Sequence, residues 1–277
     1  MNYIPKYSLS PPSQGGLGGS IREVHEVRSP LAPLKKGGII FAVVIAVVLC
    51  CLLIPTNPAC AATQSTTYEH RRIHSPDGIG KFYMRREIAQ VMGHTGALWL
   101  ERFSREKEEQ PSKIVSALNL KPNDVVADVG AGTGYMSFRI APVLTNGKVL
   151  AVDIQPEMLD IIEFLKQENH VTNVEPVLAT LKDPNLPPNS VDLALMVDAY
   201  HEFEYPREMM QGIVRGLKPG GKVVLVEYRG ENPFIMIKAL HKMTQKQVKK
   251  EMQAVGLIWR ETKNLLPQQH LMVFEKV

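Results

Sequence analysis

Cysteine is nearly absent from this chain of 277 residues, and its placement excludes two classes at once. Cys50, Cys51 and Cys60 all lie in or beside one apolar stretch, so the remainder has neither a disulfide framework nor a cysteine metal site. An excess of charge is also missing where it would matter. Residues 1–38 hold five of the 32 basic and two of the 28 acidic residues, and 39–63 hold none, which leaves 27 against 26 in the rest. Such a balance gives no electrostatic case for binding nucleic acid. The eight histidines are scattered and join no cysteine ligand pattern, so no metal site is expected.

What is present divides into four stretches. Residues 1–38, rich in Ser, Pro and Gly ("SPPSQGGLGGS"), read as a flexible tail. The segment 39–62 is a hydrophobic signal or anchor. Its apolar run Ile39–Ile54 follows Lys35 and Lys36 and ends at Pro55. As a helix it reaches only about 24 Å of the roughly 30 Å hydrocarbon core. The small residues Ala59-Cys60-Ala61 offer a cleavage site, so a signal peptide and a retained anchor both stay open. Either implies a membrane-associated or exported protein, touching the membrane through 39–54. Residues 63–120 read as a helical lid or linker that includes His94 and Trp99, with Trp99 read as packed in a core.

From Lys121 onward strands and helices alternate. "DVVADV" is a strand, "MSFRIAPVL" a helix, "GKVLAVDI" a strand, "PEMLDIIEFLKQE" a helix and "VEPVLA" a strand. "SVDLALMVDA" is a strand, "PREMMQGIVRGL" a helix stopped by the turn "KPGG", and "KVVLVEY" a strand. "TQKQVKKEMQAVG" is a helix, and two strands without a helix between them close the chain. The pattern predicts an α/β, Rossmann-like, doubly wound sheet of seven mostly parallel strands, with an antiparallel edge strand in a C-terminal hairpin.

"DVGAGTGY" places glycines at alternate positions between strand and helix. Gly130 and Gly132 let backbone approach a ligand closely, and Gly134 opens the helix. The spacing is not the G-x-G-x-x-G of a nicotinamide site, which weighs against an oxidoreductase. Asp128 ends the strand before the loop and suits an ammonium group better than a phosphate. Asp153 ends the next strand, where a carboxylate can accept both hydroxyls of a ribose.

Four stretches in order, "VVADVGAGTGYMS", "VLAVDIQPEML", "SVDLALMVDAYHEF" and "RGLKPGGKVVLVEY", resemble the successive motifs of class I S-adenosylmethionine-dependent methyltransferases. The resemblance covers residues 121–277, and the texture of the C-terminus is similar to the small-molecule and quinone group. It implies S-adenosylmethionine as cofactor, with Asp128, Gly130, Ala131, Gly132 and Gly134 around its methionine part, Asp153 on the ribose and Ile154 on the adenine. Ala179, Thr180 and Asp183 are the further adenine candidates, Thr180 foremost. The acceptor end falls to "MVDAYHEFEYP", where His201 is a candidate base and Asp198 and Glu202 candidate orienting groups, with Tyr200, Phe203 and Tyr205 around the cleft. Packing or helix capping is the competing role for His201 and Glu202. Glu227, Tyr228 and Arg229 stand second. The implied reaction moves a methyl group to a small molecule, lipid or quinone included; the alternative is an exported or anchored binding domain of this fold without catalysis.

Overall fold

The computed structural model describes residues 67–277. The tail and the apolar run Ile39–Ile54 lie outside the described residues. Among the described residues no helix is long and apolar enough to cross a membrane.

The central sheet arises from short runs that are apolar on both faces. It comprises β4 (Val125–Val129), β5 (Lys148–Asp153), β6 (Val174–Leu178), β7 (Val191–Val197), β8 (Leu217–Tyr228), β9 (Leu257–Lys263) and β10 (Gln269–Lys276). Successive side chains of a strand point to opposite faces. Ala127, Val129, Leu150, Val152, Ala194 and Met196 accordingly join one core cluster, and Val126, Val149, Ala151, Leu193 and Leu195 the other. Helices cover both clusters. Met209, Met210 and Ile213 of α6 (Pro206–Gly216) and Val248 and Met252 of α7 (Gln245–Gln253) pack on the first, and Ile162 of α5 (Pro156–Glu168) on the second.

The strand order is β6-β5-β4-β7-β8-β10-β9. β4 to β8 pair in parallel, and β10 runs antiparallel to both neighbours. The expected doubly wound sheet with its C-terminal hairpin is therefore present, the antiparallel strand being the inner member of the hairpin. Pro176 lies in β6, an edge strand, where a missing N–H can be tolerated. The chain winds outward from β4 through β5 and β6, then returns to β7 on the other side. That reversal opens a crevice at the carboxyl ends of β4 and β7.

Three expectations need correction. The stretch before the sheet is not helical throughout: β1 (Tyr68–His70), β2 (Gly78–Tyr83) and β3 (Arg86–Ala89) form a separate antiparallel sheet. Short helices α1 (Ala97–Leu100), α2 (Arg105–Glu108) and α3 (Pro111–Ala117) follow. The hairpin was hidden because its turn, Met84-Arg85, has positive φ at both residues (47° and 78°) without the usual Asn or Gly. The helix after the glycine loop, α4, spans only Ser137–Ile140 before a 3-10 turn over Ala141–Val143, since Pro142 has no N–H to continue it. "KPGG" does not precede β8 but lies within it, as a bulge between the pairs Val191↔Leu217 and Leu193↔Lys222.

Candidate active site

The carboxyl ends of β4, β5 and β7 deliver Gly130, Asp153 and Asp198 to one cavity of 530 Å³. Sites for small ligands span about 300–1,000 Å³. The glycine loop forms one wall because nothing larger fits. Gly130 has φ +77°, and a Cβ there would meet Ala199 Cβ at 2.6 Å; Gly132 has φ +56° and a Cβ would meet Leu100 at 2.7 Å. Asp153 lies at the rim of the loop. Its Oδ2 accepts the Gly132 N–H at 2.8 Å and its Oδ1 the Gln155 N–H at 2.9 Å. One lone pair on each oxygen is thus used to shape the loop, and the others remain available. Burial raises its pKa, against the pull of those N–H groups.

Asp128 sits beneath the loop rather than in the cavity wall. It borders a small void of 30 Å³ together with Arg105 and Ala131. Its Oδ2 accepts the Ser137 hydroxyl at 2.7 Å, and burial pushes its pKa up to about 6 despite that bond. Gly134 also stands away from the cavity, with φ +82° and close against Phe138 and Ile162. Ile154 and Ala179 line the cavity, as does Leu181. Thr180 does not: its Oγ1 accepts the Asp183 N–H at 2.9 Å and closes a surface loop, while Asp183 pairs with Arg215. Ala179 and Leu181, rather than Thr180, are the residues of this stretch that line the cavity.

At the opposite end the segment after β7 folds into a single 3-10 turn, Tyr200–Glu202. Neither His201 nor Glu202 caps α6, whose N-cap is Tyr205. Asp198, His201, Glu202 and Phe203 reach the cavity, whereas Tyr200 and Tyr205 do not. Tyr200 is buried, its hydroxyl donating to Glu251 at 2.7 Å; Tyr205 stacks under Lys81 at 3.1 Å. Asp198 adopts φ +50° and its Oδ2 accepts the Gln269 amide at 2.6 Å, with Oδ1 buried and unpartnered. Burial, then Glu109 and Glu227, push the pKa of its carboxyl well above the usual carboxylate range.

His201 is fixed from behind. Its Nδ1–H donates to buried Glu227 Oε2 at 2.7 Å, and its backbone carbonyl accepts from Arg86 at 3.0 Å. Burial disfavours the imidazolium, but Glu227 and then Glu202 outweigh it and raise the His201 pKa. Arg86 is held in turn by a bidentate pair with Glu251 at 2.9 and 3.0 Å. The β2–β3 hairpin thereby braces the turn that carries His201. Tyr228 also lines the cavity, donating to Glu109 at 2.8 Å, whereas Arg229 turns away to the carbonyls of Leu266 and Pro267.

Trp99 is not a core residue. It is 53% exposed and stands in the cavity lip with Arg102 stacked 3.9 Å over its ring. His94 stays outside, its N–H donating to Gln155. The sequence reading also missed His241, which comes from a turn 40 residues beyond His201 and lies with its Nδ1 3.1 Å from His201 Nε2. Although the sequence predicts no metal site, the fold brings together His201, Glu202 and His241, each offering a potential ligand atom, all within 4.8 Å of one another. No local motif signals His241, because only the return of the chain after β8 brings it there.

A parallel sheet reversed at β4 and β7, a glycine loop with no room for side chains, and an acidic residue ending β5 define a Rossmann-like fold built for a nucleoside cofactor. Residues 120–273, more than half of the chain, match the family described as "Methyltransferase domain", and the chain belongs to that family. It is 30% identical over 111 residues to the uncharacterized methyltransferase YcgJ of Bacillus subtilis, covering 40% of this chain and 43% of that one. It is 25% identical over 119 residues to the ubiquinone/menaquinone biosynthesis C-methyltransferase UbiE of Ectopseudomonas mendocina, covering 42% and 46%. Each match thus spans less than half of the relative's own length. Among solved structures, a SAM-dependent methyltransferase from Aquifex aeolicus superposes with a TM-score of 0.64 at 21% identity, covering 68% of this chain and all of that one.

Proposed function

We propose that the enzyme methylates a small, largely apolar molecule bearing an ionisable hydroxyl, of the quinol type. The carrying observation is the composition of one cavity, whose walls include the glycine loop with Asp153 and, beyond it, the His201 and Glu202 turn. The residues fit S-adenosylmethionine. Gly130 and Gly132 would admit its methionine part, Asp153 its ribose hydroxyls, and Ile154, Ala179 and Leu181 its adenine, with Asp128 supporting the loop from below. When bound, this cofactor would supply an electrophilic methyl carbon on a sulfonium, with the thioether as leaving group.

The chain's own work is alignment, dehydration and proton handling. Trp99 and the 95% exposed Met236 form apolar lips at the entrance. They favour an apolar acceptor, in keeping with the membrane association expected of residues 39–54. His201, oriented by Glu227, stands where an acceptor hydroxyl would shed its proton, and Asp198, held by Gln269, stands beside it as an orienting group. Loss of the hydroxyl proton would activate either that oxygen or the adjacent ring carbon. The similarity to a quinone-pathway C-methyltransferase supports this class of acceptor.

The test is a methylation assay with hydroxylated aromatics and quinols, run beside calorimetric titration with S-adenosylmethionine. Turnover confined to such acceptors is expected. Cofactor binding without transfer to any of them would overturn the acceptor class, and failure to bind the cofactor would overturn the site.

A further inference from the structure

We propose that His201, Glu202 and His241 form a divalent-cation site of the zinc type at the acceptor end of the cavity. The three donor atoms make a triangle with edges of 3.1 Å (His201 Nε2 to His241 Nδ1), 3.4 Å (His241 Nδ1 to Glu202 Oε1) and 3.8 Å (His201 Nε2 to Glu202 Oε1). A tetrahedral ion with bonds of about 2.0–2.1 Å requires ligand separations of about 3.3 Å. The triangle therefore needs only a few tenths of an ångström of adjustment to close around an ion.

Hydrogen bonding alone leaves this cluster incompletely explained. His201 gives its Nδ1–H to Glu227, so its Nε2 presents a lone pair and can accept one proton from His241. Glu202 Oε1 then faces both nitrogens at distances with no good hydrogen bond to the farther one. A cation satisfies all three lone pairs at once. The Glu227 carboxylate behind His201 is the partner that orients a metal-bound imidazole and raises its basicity. Glu202 is steadied by the Met92 N–H on its other oxygen at 3.2 Å, and His201 by Arg86 on its carbonyl. His241 is partly exposed, at 22%, which leaves a route for the ion to enter.

Two imidazoles and one carboxylate favour a transition metal over magnesium or calcium, whose sites are built from oxygen. Three protein ligands leave a fourth position open, as catalytic zinc requires. With the ion in place His201 serves as its ligand instead of as the base, and a hydroxyl oxygen in the open position would release its proton to water near neutral pH, as metal-bound water does at about pH 7. This catalytic role rests on the methyl-transfer reading above, whereas the binding of the ion does not.

The experiment titrates zinc chloride into the full-length protein after chelator treatment, comparing wild type with His241→Ala and Glu227→Gln. Cys50, Cys51 and Cys60 are common to all three, so differences between the proteins report the proposed site. His241→Ala is expected to lose one equivalent of zinc, and Glu227→Gln to bind it about 10–100-fold more weakly. S-adenosylmethionine titrated into the same samples monitors the cofactor end, and unchanged affinity in His241→Ala makes the lost zinc specific to the site. Equal zinc stoichiometry and affinity in wild type and His241→Ala would overturn the proposal. Zinc binding by a wild type that does not bind S-adenosylmethionine would sustain the metal site and overturn the methyl-transfer reading instead.

Discussion

Asp128 illustrates how a single buried carboxyl ties stability to function. Its pKa in the folded chain is raised to about 6, chiefly by burial. A raised carboxyl contributes stability that is complete below its unfolded value and is lost as pH rises through the folded value. The unliganded protein should therefore lose up to about 3 kcal/mol from this group between about pH 4 and 7. Asp128→Asn keeps an acceptor for Ser137 and removes the titration, so thermal unfolding across that range should show a flatter profile in the variant. At Asp153 the expectation concerns binding: Asp153→Ala removes two loop-shaping acceptors and both free lone pairs. S-adenosylmethionine affinity should fall at least about 10-fold by calorimetry, since hydrogen bonds to a charged group contribute about 1.5–3 kcal/mol. Near-native affinity would remove Asp153 from the site. His201→Ala should instead slow turnover by about 10²–10⁴-fold, the range for a proton-handling group, while cofactor affinity is retained.

Among the elements, the β2–β3 hairpin matters most for the site, because Arg86 links it to both α7 and the His201 turn. Arg86→Met leaves Glu251 buried without its cation, and urea unfolding should report a loss of about 3–5 kcal/mol. The double variant Arg86→Met with Glu251→Met should recover much of that loss, since no buried charge is then left alone. The hairpin was illegible in the sequence for a physical reason. Its turn holds Met84 and Arg85 in the left-handed region, where local propensity would not place them. Tertiary contacts hold it there, with Lys250 Nζ donating to the Met84 carbonyl at 3.0 Å. The central strands were legible because runs apolar on both faces admit little else than a covered parallel sheet.

For the whole molecule, the crevice at the strand-order reversal brings the glycine loop and the His201 turn into one cavity whose lip carries Trp99. Of the two tryptophans, Trp259 lies on β9 at the far edge of the sheet. Ligand entry should therefore shift the intrinsic fluorescence through Trp99, and Trp99→Phe should abolish the shift while leaving the fold intact. An unchanged response in that variant would place the ligand elsewhere.

The order of strands and helices after Lys121, the glycine loop and the carboxylates ending β4 and β5 were determined by the sequence itself. Each is encoded locally, by hydrophobic periodicity, by proline at helix starts and by glycine where positive φ leaves no room for a side chain. Tertiary structure alone decided the N-terminal sheet, the exposure of Trp99, the outward turn of Thr180 and the meeting of His201, Glu202 and His241. Those outcomes depend on contacts between residues far apart in the chain, and no local pattern records which distant group a side chain will face.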